Sequence, residues 1–150
     1  MPDPADADVG DTGLGRILGL DLGQSKIGVA ISDPDRRVAV PLGTVRTGAP
    51  ADVKAIAAMV KEQGIAAIVV GQPFSLSGRK GEAADHAEKF AQALRDFLKL
   101  PVFLQDERLT TVEADRQLAD AGLRGRERRR VVDQTAATLI LQAYLDRTRG

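Results

Sequence analysis

The segment Leu18-Gly19-Leu20-Asp21-Leu22-Gly23, followed by Lys26-Ile27-Gly28-Val29-Ala30-Ile31-Ser32, constrains this chain most. An apolar run ends in one acid, a glycine turn follows, and a second apolar run begins. The pattern predicts a β-hairpin with a carboxylate at the end of its first strand. A lone charge on an apolar strand is costly to bury. Asp21 therefore calls for a cation or a phosphate-bearing partner.

The rest of the chain supplies the elements around that hairpin. Strands are predicted at about 16–22, 26–32 and 38–46, with Ser32-Asp33-Pro34-Asp35 as a turn. Val53, Ile56, Ala57 and Val60 recur at helical spacing, predicting a helix over 51–63 that Gly64 stops. Ala66-Ala67-Ile68-Val69-Val70-Gly71 reads as a buried parallel strand. A loop over Gln72–Lys80 leads to a helix over 82–98, with Ala83, Ala87, Phe90, Leu94 and Phe97 on one stripe. Pro101 precedes a fifth strand over 102–105, and helices over 111–121 and 129–147 complete the chain. The order β-β-β-α-β-α-β-α-α predicts an α/β domain with a five-stranded mixed sheet flanked by helices. Later crossovers should be right-handed. That order matches the ribonuclease-H-like fold.

At 150 residues the chain suits one domain. Residues 1–14, rich in Asp, Gly, Pro and Ala, read as a disordered acidic tail, and 15–150 as the folded domain. With no cysteine, disulfides, thiolate zinc sites and cysteine nucleophiles are excluded. One histidine, His86, excludes a multi-histidine metal site; off the apolar stripe, it reads as a surface residue. No apolar stretch is long enough to span a membrane, so a soluble, cytoplasmic protein is expected. The formal charge is zero. Beyond the tail's Asp3, Asp6, Asp8 and Asp11, however, 21 basic residues face 17 acidic ones. The excess gathers at Arg124, Arg126, Arg128, Arg129 and Arg130, which suits a phosphate backbone.

Two further places hold acids that local structure explains poorly. In Leu104-Gln105-Asp106-Glu107-Arg108-Leu109-Thr110-Thr111 the fifth strand ends in successive acids. Their side chains leave in different directions, so one faces a site and the other is structural. Asp133 lies in the first turns of the last helix, at the margin of a stripe centred on Val132, Ala136, Leu139 and Ala143. Glu113 completes a capping box with Thr110 and is discounted. Asp146, near the end of the last helix, reads as solvated, with an extra metal-ligand role left open. Three converging carboxylates without cysteine or clustered histidine suit Mg²⁺ or Mn²⁺. Two such ions can activate a water and stabilise the leaving oxygen of a phosphodiester.

These residues together resemble a known family. Asp21-Leu22-Gly23 with Ile27-Gly28-Val29-Ala30, Val70-Gly71-x-Pro73 with Gly78, Asp106-Glu107-Arg108-Leu109-Thr110-Thr111-Val112-Glu113-Ala114, and Val132-Asp133-x-x-Ala136-Ala137 are similar to the YqgF/RuvX family. These are bacterial ribonuclease-H-like nucleases related to RuvC-type Holliday junction resolvases. The likeness spans about residues 16–147. It implies a metal-dependent nuclease with Asp21, Glu107 and Asp133 as catalytic and metal-binding acids. It further implies maturation of the 5′ end of pre-16S rRNA, with Holliday-junction-like DNA as the alternative substrate. Gln72 stands where the family has leucine, and Ser75 and Ser77 depart from the pattern as well.

Lys26, Arg108 and the arginine run over 124–130 are the expected nucleic-acid contacts. The partner is then pre-16S rRNA or branched DNA, with no membrane. A homodimer would suit a symmetric junction cutter. Two other classes compete. The hairpin also resembles the phosphate loop of actin-like ATPases and sugar kinases, but the chain is short and lacks their second phosphate motif. A non-catalytic nucleic-acid or ribosome-assembly module is the other rival.

Overall fold

A computed structural model describes residues 10–74, 81–109 and 135–148. β1 (Arg16–Leu22), β2 (Lys26–Ser32) and β3 (Ala39–Arg46) form an antiparallel meander. Helix α1 (Ala51–Gln63) leads into β4 (Ile65–Gln72), which lies parallel to β1. Helix α2 (Glu82–Leu98) leads into β5 (Val102–Asp106), parallel to β4. Helix α3 (Ala136–Thr148) closes the described chain. The sheet order is β3-β2-β1-β4-β5, a five-stranded mixed sheet with helices on both faces. The helix expected over 111–121 and the first turns of the one expected over 129–147 lie outside the described residues.

Strand alternation divides the core in two. Leu18, Leu20, Val29, Ile68 and Val70 pack with Ile56 of α1 and with Phe90 and Leu94 of α2. Ile17, Ala30, Ala67 and Val69 pack on the other face with Ala137, Ile140, Leu141 and Tyr144 of α3. Burying each large aliphatic side chain stabilises the fold by about 1.5–3 kcal/mol. The apolar stripes are rotated from those predicted. On α2 the buried positions are Ala84, Ala87, Phe90, Ala91 and Leu94; Phe97 is exposed, because the line that packs on the core continues from Leu94 to Leu98 and leaves it to one side. On α3 the buried line passes through Ala137, Ile140, Leu141 and Tyr144, one position on from Ala136, Leu139 and Ala143.

Helix α3 lies close against its face. A Cβ on Gly19 would stand 2.7 Å from Leu141 Cβ, which no side-chain rotation relieves. At the opposite end of the sheet from the β1–β2 turn, Asp11 is held. Arg36 donates to both its carboxylate oxygens at 2.6 and 2.7 Å, and to the carbonyls of Leu14 and Gly15. This pairing keeps the Asp11 carboxyl below its usual range, against the opposing effect of burial. Among the described residues, no helix is long and apolar enough to cross a membrane.

Candidate active site

β1, β4 and β5 run parallel, so their carboxyl ends share one edge of the sheet, where ligands gather in such folds. Asp21 is the last residue but one of β1 and pairs across to Gly28 of β2. By alternation from Gly19, its side chain lies on the α3 face. A Cβ on Gly28 would meet Ala137 Cβ at 3.6 Å and Asp21 Cβ at 3.8 Å. The start of α3 thus stands directly beside Asp21.

Glu107 reaches the same face from the far side of β4. β5 ends at Asp106, and a single 3-10 turn, Glu107–Leu109, redirects the chain. Glu107 Cγ and Oε2 lie 3.4 Å from the place a Cβ on Gly71 would occupy. The parallel register sets Leu20 against Val70, so Asp21 comes level with Gly71. The two carboxylates therefore stand on either side of Gly71. A side chain at 71 would strike Ile140 and lie against Glu107.

Asp106 is occupied otherwise. The Arg108 backbone N–H donates to Oδ1 at 2.9 Å, and its guanidinium donates to both carboxylate oxygens, the shortest bond being 2.6 Å. The guanidinium holds the Asp106 carboxyl below its usual range, while burial opposes it, and Asp106 raises Arg108 in return. Arg108 also lies over the Phe74 ring, 5.0 Å from its centroid. Of the adjacent acids, Glu107 lines the cleft and Asp106 fixes the turn that aims it.

A cleft of about 450 Å³ opens over these strand ends. The β1–β2 turn, Gly71, Pro73 and Glu107 line it on one side, and Glu82 and His86 of α2 on the other. His86 is exposed, as its place off the apolar stripe predicted, and yet it faces the cleft. Nothing local to His86 announces this, since Glu107 comes from the opposite end of the intervening helix and strand. Gln72, the departure from the family's leucine, is buried and donates to Ala84 O at 3.2 Å and Glu88 Oε1 at 3.0 Å. It ties the end of β4 to the first turns of α2, which set that wall of the cleft.

Lys26 opens β2 at the same end and is exposed. Asp133 and Arg124, Arg126, Arg128, Arg129 and Arg130 lie outside the described residues, as does most of the Gln72–Lys80 loop. Asp146 lies at the end of α3 away from Gly28 and accepts a hydrogen bond from Gln142 at 3.0 Å. Among the described residues, no three acidic or histidine side chains come close enough together to hold a metal.

The chain is similar to known proteins over nearly its whole length. The family model described as RuvX: Holliday junction resolvase matches residues 15–147. A protein of Mycolicibacterium paratuberculosis, named "Putative pre-16S rRNA nuclease", is 47% identical over 153 residues, covering 100% of this chain and 91% of its own. One of the same name from Pelotomaculum thermopropionicum is 47% identical over 133 residues, covering 87% and 86%. Among solved structures, T. thermophilus RuvC in complex with a Holliday junction substrate superposes with a TM-score of 0.51. It is 17% identical over 90% of this chain and 96% of that one. The fold is that of RuvC, ribonuclease-H-like.

Proposed function

The chain belongs to the RuvX family, and from that premise we propose that it is a metal-dependent nuclease that processes the 5′ end of pre-16S rRNA. The observation that carries this reading is the pair of carboxylates, Asp21 and Glu107, set on either side of Gly71 at the strand ends. Both donors are carboxylate oxygens, with no sulfur near them, and the glycine at 71 on the strand between them puts no side chain in the way. That donor set suits a hard divalent cation, Mg²⁺ or Mn²⁺. Asp133, four residues before Ala137 in the sequence, is the proposed third ligand. When bound, the cations supply an activated water and stabilise the leaving oxygen of the phosphodiester.

The chain's own residues do the positioning. Asp21 sits on a strand hydrogen-bonded on both sides, so its carboxylate is held by the sheet rather than by a loop. Glu107 is aimed by the turn that Asp106 and Arg108 pin. Arg108 and the arginine run 124–130 are the proposed contacts for phosphates flanking the scissile one.

The test is cleavage of an RNA spanning the 5′ junction of pre-16S rRNA, with Mn²⁺ or with EDTA, beside a four-way DNA junction. The parent should cut the RNA only with Mn²⁺. Asp21→Asn should lower the rate by more than about 100-fold, since even changes behind the ligands cost 10–100-fold. Preferential cutting of the junction would move the substrate to branched DNA. Equal cleavage by parent and variant would overturn the nuclease reading.

A further inference from the structure

The β2–β3 ladder sets Lys26 directly opposite Arg46. Both are exposed, and among the described residues neither makes an ion pair or side-chain hydrogen bond. Like charges directly opposite on adjacent strands destabilise a sheet. An anion bridging the two would reverse that sign.

Their face decides which anion. Ile27 and Val45, the next pair in register, are buried with the α1 and α2 core. By alternation Lys26 and Arg46 project to the opposite face, the one that carries Asp21. On that face Asp21, Gly28 and Thr44 form one row across β1, β2 and β3, by successive register. Gly28 has no side chain and Thr44 is short and exposed, so the row makes a low shelf leading out from Asp21. Lys26 and Arg46 lie two residues along from Gly28 and Thr44, at the shelf's outer rim, a displacement of roughly 7 Å along the strands.

We propose that Lys26 and Arg46 together clamp a phosphate of the nucleic-acid strand next to the one cleaved at Asp21, with Arg46 a substrate-binding residue. The inference rests on the nuclease reading above and deepens it: the ligand is a phosphodiester backbone, crossing the Gly28–Thr44 shelf. A guanidinium suits this role because it offers several donors in a fixed fork. The small residues of the shelf let the backbone approach the sheet, while the bases point away from it. Contact of this kind reads charge and shape rather than sequence.

The experiment measures binding of the pre-16S junction RNA, and of a four-way DNA junction, across a salt series. All variants carry Asp21→Asn, so that binding is separated from cleavage. Arg46→Ala and Lys26→Ala should each weaken binding by about 3–10-fold and flatten the dependence of log Kd on log salt by about 0.7–0.9 per contact. Arg46→Lys should recover most of the slope. Lys54→Ala, an exposed base on α1, should change neither quantity. In the otherwise native chain, Arg46→Ala should raise KM and leave kcat within about twofold, with an unchanged or slightly higher melting temperature. The probe showing the larger loss identifies the backbone, RNA or DNA, that the clamp holds. Unchanged affinity and slope in both alanine variants would overturn the clamp while leaving the nuclease reading intact, provided that the parent cleaves. A parent that neither binds nor cleaves would overturn both.

Discussion

The sheet face beneath α1 and α2 is filled by Leu18, Leu20, Val29, Ile68 and Val70, whereas the face beneath α3 mixes Ile17, Ala30 and Val69 with Gly19, Gly28 and Gly71. The first face gains stability from large side chains interdigitating with Ile56, Phe90 and Leu94. The second gives up apolar volume so that a helix can lie close to the backbone. The close approach has a use at one end of the sheet. There the glycines leave Asp21 and Glu107 on an uncrowded floor, beside the start of α3. Both faces are core, but only the second carries the proposed chemistry.

Substitutions should separate the two. Leu20→Ala, on the first face, should cost about 2–5 kcal/mol of stability, read by urea unfolding, because a fully buried leucine leaves a cavity. Molecules still folded should keep the parent's kcat. A proportional loss of kcat per folded molecule would show that the faces are not independent. Gly71→Ala should do the reverse. The Ile140 methyl it meets is the end of a flexible side chain, so stability should fall by about 1 kcal/mol or less, whereas the new methyl touches Glu107 at 3.4 Å and restricts where its carboxylate can point. Cleavage should drop by at least about tenfold, since small misplacements of a reacting group are costly.

The smallest effect is electrostatic. Asp106 and Asp11 both titrate below the ordinary carboxylate range in the folded chain, each through an arginine hydrogen bond. Each pair therefore stabilises the fold fully above the unfolded value, near pH 3.9, and the contribution fades as pH falls through the folded value. Urea midpoints should decline below about pH 4, and Asp106→Asn should remove part of that decline. Because Asp106 and Arg108 are partly exposed, the effect is modest.

Much of this was legible in the residues. The spans 16–22, 26–32, 51–63 and 82–98 are those of the structure, because alternation, glycine stops and helical spacing are local signals. The register that levels Asp21 with Gly71 was not, since it depends on pairing between strands distant in sequence. The doublet Asp106-Glu107 announced that one acid faces a site, and the family resemblance pointed to Glu107; the physical reason, the Arg108 guanidinium folded back on Asp106, was not legible. His86 shows the limit most plainly. Its exposure followed from its helical position, but the cleft it faces is made by the turn after β1 and the turn after β5. The anchoring of Asp11 by Arg36 belongs to the same class, joining residues 25 apart.

We propose that Glu107, across Gly71 from Asp21, does chemistry, and that Asp106 beside it does not. Purified Glu107→Gln and Asp106→Asn, assayed for Mn²⁺-dependent cleavage of the pre-16S junction RNA alongside their melting temperatures, test this most directly. Glu107→Gln should lose more than about 100-fold in rate and keep its melting temperature. Asp106→Asn should keep its rate within about tenfold, with a lower melting temperature. Cleavage that survives Glu107→Gln and vanishes with Asp106→Asn would contradict it.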